Sequence, residues 1–261
     1  MRNSAQRSRL AARIDRILSA AIAGDDAVSL NATAAELIAE AVPVGTVIEA
    51  AFDRAGSGLT AHLRVTQAFR SSGLDTDLVN LLVSPHPETR IASARLCSAL
   101  RLTDAVPWLA DMMEDGNPKV RDAAIRGLGR SGGRRAVDVL MMAVDRVPQH
   151  RLAIELSRAA SDLDIEGLMR KPSSVQAAVV TVLACGLRKD RLRVASLLGL
   201  AHDRRWPSTV RVAACRALAM IGGPASAAGV SSLSTEPDIS VREAAAKAHR
   251  RLVLARKPGL S

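Results

Sequence analysis

The sequence PKVRDAAIRGLG, from Pro118 to Gly129, decides the fold because recognisable versions of it recur along the chain. Each version has a residue that is usually valine, then an arginine or once a glutamine, then an alanine-rich helical turn. A degenerate further copy contains Arg151. Repeats of about thirty residues predict stacked helix pairs, because one pair cannot bury its apolar face alone. Aligned on the arginine, the clear copies fall at Arg90, Arg121, Gln176, Arg211 and Arg242.

Each repeat is predicted to contain two helices. Asn117 and Pro118 form a turn, and apolar residues at helical spacing predict a first helix over residues 120–128. Glycines at 129, 132 and 133 end that helix. Apolar residues three or four apart predict a second helix from Ala136 onward. The sequence therefore predicts an all-α protein.

The stretches PKVRDAAIRGLG (118–129) and VRVAACRALA (210–219) resemble the HEAT-like repeats of bacterial solenoid proteins, the short class also seen in phycobilisome lyases. The resemblance covers residues 84–252. It implies an all-α, right-handed α-α superhelix of about five to six helix pairs. Such proteins mostly provide scaffolds and binding surfaces, so the resemblance says more about fold than about function.

Three regions are expected along the chain. Residues 1–59 form an N-terminal helical cap with an amphipathic first segment, residues 60–252 form the repeat solenoid, and residues 253–261 form a C-terminal tail. In the cap, the apolar pattern predicts helices over residues 8–23, 32–41 and 44–54. A worn first repeat, with a helix over residues 78–82, is expected to follow.

Composition agrees with close helix packing. The hydrophobic fraction is 48%, whereas aromatic residues make up 2% and tyrosine is absent, so Ala, Leu, Val and Ile must form the core. The three cysteines are far apart in sequence and odd in number. We expect buried free thiols in a reducing cytosol.

The net charge of +10 is unevenly distributed. Residues 1–16 contain five arginines and one aspartate, giving +4, and residues 242–261 contain six bases and one glutamate, giving +5. The rest is close to neutral, whereas a protein that follows a phosphate backbone would spread positive charge along one face. Binding to nucleic acid is therefore not expected.

The first helix offers two interpretations. Its arginines alternate with leucine and isoleucine at helical spacing, which is typical of a helix that lies on an anionic membrane surface. A helix that caps the solenoid and buries its apolar face in the core would show the same pattern. The candidate membrane-contacting residues are Arg7, Arg9, Arg13 and Arg16.

Signals for catalysis are weak. The stretch from Gly127 to Gly132 matches G-x-G-x-x-G, but it ends a helix, whereas a dinucleotide-binding loop follows a strand and opens a helix. The five histidines are scattered without metal-ligand spacing. No catalytic residue, metal site or cofactor site is predicted, and the protein is expected not to be an enzyme.

Two features are candidates for partner binding. The first is a broken row of bases five residues after the repeat arginines, here called the ladder positions: Arg95, Arg126, Arg216 and Lys247. Bases that simply face solvent, without binding a partner, would give the same pattern. The second is Trp206, a loop residue beside two arginines that could anchor a partner or cover the end of a helix. The repeat arginines themselves are expected to bond to turn carbonyls or carboxylates between neighbouring repeats.

These observations predict a non-enzymatic scaffold or adaptor that binds a protein partner on its concave face. We expect it in the cytoplasm, peripheral to the inner face of the membrane if the first helix binds lipid. One alternative is a DNA-binding protein similar to the HEAT-like alkylpurine DNA glycosylases, although the sequence has few aromatic residues for stacking on an extruded base. Another is a lyase-like accessory protein.

Overall fold

A computed structural model describes residues 4–25, 30–56 and 58–254, with side chains from residue 9 onward. These residues form sixteen α-helices and no strand. Short 3-10 turns occupy Leu81–Val83, Thr103–Ala105, Arg191–Arg193 and Ser232–Thr235. The helices are α1 (Ser4–Ala23), α2 (Ala34–Ala39), α3 (Ala41–Ala55), α4 (Leu59–Arg70), α5 (Leu74–Asn80), α6 (Pro87–Ala99), α7 (Val106–Met112), α8 (Pro118–Ser131), α9 (Gly133–Met142), α10 (Gln149–Ala159), α11 (Asp162–Arg170), α12 (Val175–Leu187), α13 (Val194–His202), α14 (Ser208–Ile221), α15 (Pro224–Ser231) and α16 (Ile239–Leu254).

The all-α prediction is confirmed. The first helix of the repeat, predicted over residues 120–128, spans Pro118–Ser131, and the second, predicted from Ala136, begins at Gly133. The Asn117 side chain accepts a hydrogen bond of 2.9 Å from the Lys119 amide, which caps α8. Gly132, with a φ of 69°, ends that helix in a conformation that favours glycine. The stretch of residues 78–82 expected after the break at residues 71–73 is helical, but its helix starts earlier, at Leu74, and its last residues form a 3-10 turn.

Helix contacts divide the chain into two compact units, residues 1–136 and residues 137–261. We call α6, α8, α10, α12, α14 and α16 the motif helices, because each carries one copy of the repeat motif. In the first unit α6 packs on α8. In the second unit α10 packs on α12, α12 on α14, and α14 on α16. The other helices of each repeat pack behind them, as α7 does on α8 and α13 on α14.

The N-terminal helices extend the layer of motif helices in the first unit although they lack the motif. Helix α1 packs on α3, and α3 packs on α6. Ile14 and Leu18 of α1 are fully buried. The apolar face of the first helix is therefore part of the protein core.

Small residues set the distance between motif helices of the second unit. Gly186 is buried in α12, and a Cβ atom built on it would lie 2.7 Å from the Cα of Ala217 in α14. Such a distance is too short for a methyl group against a backbone atom. Glycine at this position therefore lets the two helices approach closely.

Replacing Gly186 by alanine is expected to lower the free energy of unfolding by about 1–3 kcal/mol, because α12 and α14 would have to move apart. The matched control is Gly199→Ala in α13, where an added Cβ would meet no atom within 4 Å. That change should be neutral or stabilising by up to about 1 kcal/mol, since alanine favours helix over glycine. Urea unfolding followed by circular dichroism measures both. Equal midpoints for Gly186→Ala and the wild type would show that the helices are not in close contact.

Candidate functional site

The repeat arginines hold the start of their helices against the preceding turn. In Arg90, Arg121 and Arg242, Nη1 donates to the carbonyl oxygen six residues earlier, at 2.6, 2.8 and 2.5 Å. The same atom also reaches the carbonyl five residues earlier, at 3.2, 3.2 and 3.4 Å. These bonds satisfy turn carbonyls that have no partner within a helix. The expectation that these arginines have a structural role is confirmed.

Two repeat arginines also link their helix to the turn of the next repeat. Arg90 Nη2 lies 2.8 Å from Asp115 Oδ2, and Arg211 Nη2 lies 3.0 Å from Glu236 Oε2. Arg211 is buried, and its Nε donates to the Ala201 carbonyl at 3.0 Å. Burial opposes ionisation of Glu236, but Arg211 outweighs it and holds the pKa of that carboxyl below its ordinary value. Both ion pairs join consecutive repeats.

The ladder positions are exposed on the motif helices. Arg95 and Arg126 lie on α6 and α8 of the first unit, and Arg216 and Lys247 lie on α14 and α16 of the second. In α10 and α12, where the motif is less regular, the equivalent positions hold buried Leu156 and Thr181. The row of bases is thus divided between the two units, and its members have different surroundings.

In the first unit the ladder bases line a cleft of about 240 Å³ between α3, α6 and α8. Arg126 pairs with Asp122 one turn earlier, and the neighbouring Arg130 pairs with Glu49 of α3. The Arg95 side chain lies against α3 at Gly45: a Cβ atom built on Gly45 would be 3.6 Å from Cγ of Arg95. Two of the three cations in this cleft are therefore already neutralised by carboxylates of the same unit.

In the second unit the ladder bases border a longer groove, here called the basic groove. Two adjoining cavities of about 590 and 730 Å³ make up the groove, which α10, α12, α14 and α16 all line. The two cavities share His150, Leu183, Val212, Arg216 and Ser240, so they form one continuous surface. The larger cavity is also lined by Lys247, Arg251 and Glu243.

The cations of the basic groove have no partner among the residues that the structure describes. Arg216, Lys247 and Arg251 are all exposed, and none forms an ion pair or hydrogen bond with another residue that the structure describes. Glu243 lies one turn before Lys247 on α16 but is not paired with it. The basic groove thus presents three free positive charges and one carboxylate to solvent. Sequence analysis did not single out Arg251, although its position one turn after Lys247 would have placed it on the same face.

Trp206 lies apart from the basic groove, in the turn between α13 and α14. It is half-buried, and its amide donates to the Asp203 carbonyl at 3.1 Å. The flanking arginines are held within the unit: Arg205 Nη2 contacts Asp203 at 2.9 Å and Arg204 Nε contacts Glu236 at 3.4 Å. The Arg205 side chain, through its hydrogen bonds, keeps the pKa of Asp203 below its usual range. This turn is thus built from internal ion pairs, and the proposed anchoring role of Trp206 stays a prediction.

Three of the four candidate membrane-contacting arginines lie on one face of α1. Arg9, Arg13 and Arg16 are exposed and border a cavity of about 500 Å³ together with Glu36 and Glu40. The side chain of Arg7 lies outside the described residues. On the opposite side of the same helix Ala11, Ile14, Leu18 and Ala21 are buried.

No catalytic constellation is found among the described residues. Burial raises the pKa of the Cys97 and Cys185 thiols to about 12, and that of Cys215 to about 11. The three cysteines are free and buried, as expected. Within the described ranges no group of three or more His, Cys, Asp or Glu side chains could hold a metal ion. No described helix is long and apolar enough to cross a membrane.

In each unit motif helices pack on one another with further helices behind them, and the arginine-bonded turn recurs before α6, α8 and α16, which defines a helical-repeat protein. The family of HEAT repeats matches residues 76–157 and 165–250, and the chain belongs to this family. A comparison with curated proteins found no match.

Similar solved structures include human deoxyhypusine hydroxylase in complex with glycerol, at 15% identity and a TM-score of 0.37, covering 97% of this chain and 100% of that one. Two engineered proteins are 18% identical with a TM-score of 0.36. The match to the first covers 93% of this chain and 97% of the engineered chain. The match to the second covers 97% of this chain and 86% of the engineered chain.

Replacing Arg90 by alanine is expected to lower the free energy of unfolding by about 1.5–3 kcal/mol, since two turn carbonyls and Asp115 would lose a charged partner. Arg95→Ala, on the same helix but exposed and unpaired, should change it by less than about 0.5 kcal/mol. Chemical unfolding of both variants at neutral pH separates structural from surface arginines. Equal losses of stability in the two variants would contradict this division.

Proposed function

We propose that the protein is a non-catalytic adaptor that binds a protein partner on the exposed face of its motif helices. The observation that carries this proposal is the basic groove, where Arg216, Lys247 and Arg251 face solvent without an internal partner. The equivalent base Arg126 in the first unit is paired with Asp122. The second unit is therefore the proposed binding region.

The floor of the basic groove supports binding of a polypeptide. Leu183, Val212 and Met220 are half-buried there, and alanines of α14 and α16 lie between them. Half-buried aliphatic side chains gain further burial when a partner covers them, whereas surrounding charges fix orientation. A groove with both features is suited to side chains of a protein partner.

The alternative of a DNA glycosylase is less well supported. Enzymes that extrude a base hold it against aromatic side chains. Phe52 and Phe69 are buried in the core of the first unit, and the described residues that line the basic groove include no Phe, Trp or Tyr, with the imidazole of His150 as their one aromatic ring. The three buried cysteines are compatible with the reducing cytoplasm that we propose as its location.

The adaptor proposal is tested by purifying the tagged full-length chain from its native cell and identifying bound proteins by mass spectrometry. We expect at least one protein to accompany the wild type and Arg126→Gln but to be lost from the double variant Arg216→Gln/Lys247→Gln. Arg126 occupies the same ladder position in the first unit, so it is a matched control. Identical partners for all three proteins, or none for the wild type, would refute binding at the basic groove.

A second candidate is peripheral binding to an anionic membrane through α1. The observation that favours it is that Arg9, Arg13 and Arg16 are exposed and unpaired among the described residues. Each basic residue near such a surface contributes on the order of 1 kcal/mol, so three give about 3 kcal/mol, or roughly a hundredfold enrichment. Because Ile14 and Leu18 are buried in the core, most of the apolar side of α1 is not available for insertion into lipid. We therefore propose only weak, salt-sensitive adsorption.

Sedimentation with vesicles tests this candidate. The wild type should bind phosphatidylserine-containing vesicles at low salt and be released near physiological salt, because exposed charges are screened. The triple variant Arg9→Gln/Arg13→Gln/Arg16→Gln should not bind, whereas Arg216→Gln/Lys247→Gln should bind as the wild type does. Equal binding of neutral and anionic vesicles would exclude an electrostatic mechanism.

A further inference from the structure

We propose that the basic groove recognises an acidic peptide segment of the partner, one that carries carboxylates two or three residues apart together with aliphatic side chains. This inference rests on the proposed adaptor function and specifies the chemistry of the partner. Three features of the second unit support it: the free cations, the aliphatic floor and the spacing of the charges.

The charge of the basic groove selects an acidic ligand. Arg216, Lys247 and Arg251 give three positive charges, and Glu243 gives one negative charge, so the wall formed by α14 and α16 has a net charge of +2. In the first unit Arg126 is already paired with Asp122, and Arg130 with Glu49. Cations without an internal carboxylate can accept carboxylates of a partner without first breaking an ion pair. An acidic segment therefore complements the basic groove and not the cleft of the first unit.

A purely acidic ligand would leave the aliphatic floor of the basic groove exposed to water. Leu183 on α12, Val212 on α14 and Met220 on α14 are only half-buried. Methionine and branched aliphatic side chains adapt to aliphatic groups of a ligand, and covering them removes apolar surface from water. The segment should therefore include aliphatic residues that point to the floor while its carboxylates reach the rim.

The spacing of the cations predicts the spacing of the acids. Equivalent positions on neighbouring packed helices lie about 8–10 Å apart, and residues one turn apart on a helix lie about 6 Å apart. Arg216 and Lys247 are related in the first way and Lys247 and Arg251 in the second. An extended peptide advances about 3.3 Å per residue, so carboxylates two or three residues apart match both spacings.

The length of the segment follows from the four helices that line the basic groove. Helices α10, α12, α14 and α16 pack consecutively, which gives a width of about 24–30 Å. About seven to nine residues of extended chain cross that width. A short linear segment is therefore enough, and a folded domain is not required.

Nucleic acid is a poorer match for the same surface. A duplex would meet only three cations, together with a carboxylate at Glu243 and an aliphatic floor that offers nothing to its phosphates. Strong duplex binding depends on neutralising many phosphates. A protein segment satisfies both the charges and the floor.

The experiment selects peptides from a displayed library of random sequences of about sixteen residues on the full-length wild-type chain. We expect enriched peptides to be acidic, with carboxylates two or three positions apart and aliphatic residues between them. One enriched peptide is then synthesised, and its affinity is measured by fluorescence anisotropy. Arg216→Gln/Lys247→Gln should weaken binding about tenfold, whereas Arg126→Gln should leave it unchanged.

A charge-reversed protein provides a second, independent arm. Arg216→Glu/Lys247→Glu changes two exposed side chains, and an unchanged melting temperature verifies that the variant is folded. Selection on this variant should enrich basic peptides in place of acidic ones. If the same peptides are enriched on both proteins, the inference is wrong because the ladder bases do not select the ligand.

The remaining outcomes separate this inference from the proposed function. Enrichment of neutral or basic peptides whose binding is lost in Val212→Glu would overturn the acidic segment but preserve the adaptor function. No enrichment above an empty support would count against both. Binding of a twenty-base-pair duplex more tightly than any selected peptide, with the loss confined to the Arg216 and Lys247 variants, would replace the peptide by nucleic acid.

Discussion

The bond between a repeat arginine and the turn before its helix is the interaction on which this structure depends. A helix start leaves amides unpaired, and the turn leading into it leaves carbonyls unpaired. A guanidinium can serve two adjacent carbonyls and still offer its other nitrogen to a carboxylate, as Arg90 does with Asp115. Lysine lacks this planar arrangement of donors. The same bond recurs at Arg121 and Arg242, which explains why arginine marks the thirty-residue period in the regular repeats.

Because these arginines are occupied within the fold, the function has to be sought among other residues. Arg121 and Arg126 illustrate the difference, since they lie on the same helix only five residues apart. Arg121 donates to two turn carbonyls, whereas Arg126 is exposed and paired only along its own helix. The positive net charge is thus partly structural. Only those cations that neither the turns nor nearby carboxylates neutralise are available to a partner.

Sequence alone predicted the parts of the structure that depend on local signals. The cap of α8 at Asn117, its end at Gly132 and the structural role of Arg90 could all be inferred from the motif. Packing of the first helix against the core was one of two interpretations that its apolar pattern allowed, but the pattern did not identify α3 and α6 as the helices in contact, because those contacts join residues far apart in sequence. The pairing of Arg130 with Glu49 was equally hidden, since the two residues are 81 positions apart in sequence.

The ladder positions of the two units differ in how far their bases are neutralised, and this difference follows from where carboxylates occur on the same helix and on neighbouring helices. In the first unit α3 and α8 provide Glu49 and Asp122 close to the ladder bases. In the second unit the cavity beside the bases is lined by aliphatic, alanine and serine side chains and by His150, and the one carboxylate there, Glu243, pairs with none of the bases among the described residues. Exposed ion pairs contribute little to stability, so folding places little constraint on which ladder is neutralised. The proposed recognition of an acidic partner, by contrast, depends directly on which cations are left without a carboxylate. This proposal therefore accounts for the unpaired cations of the basic groove better than folding stability does.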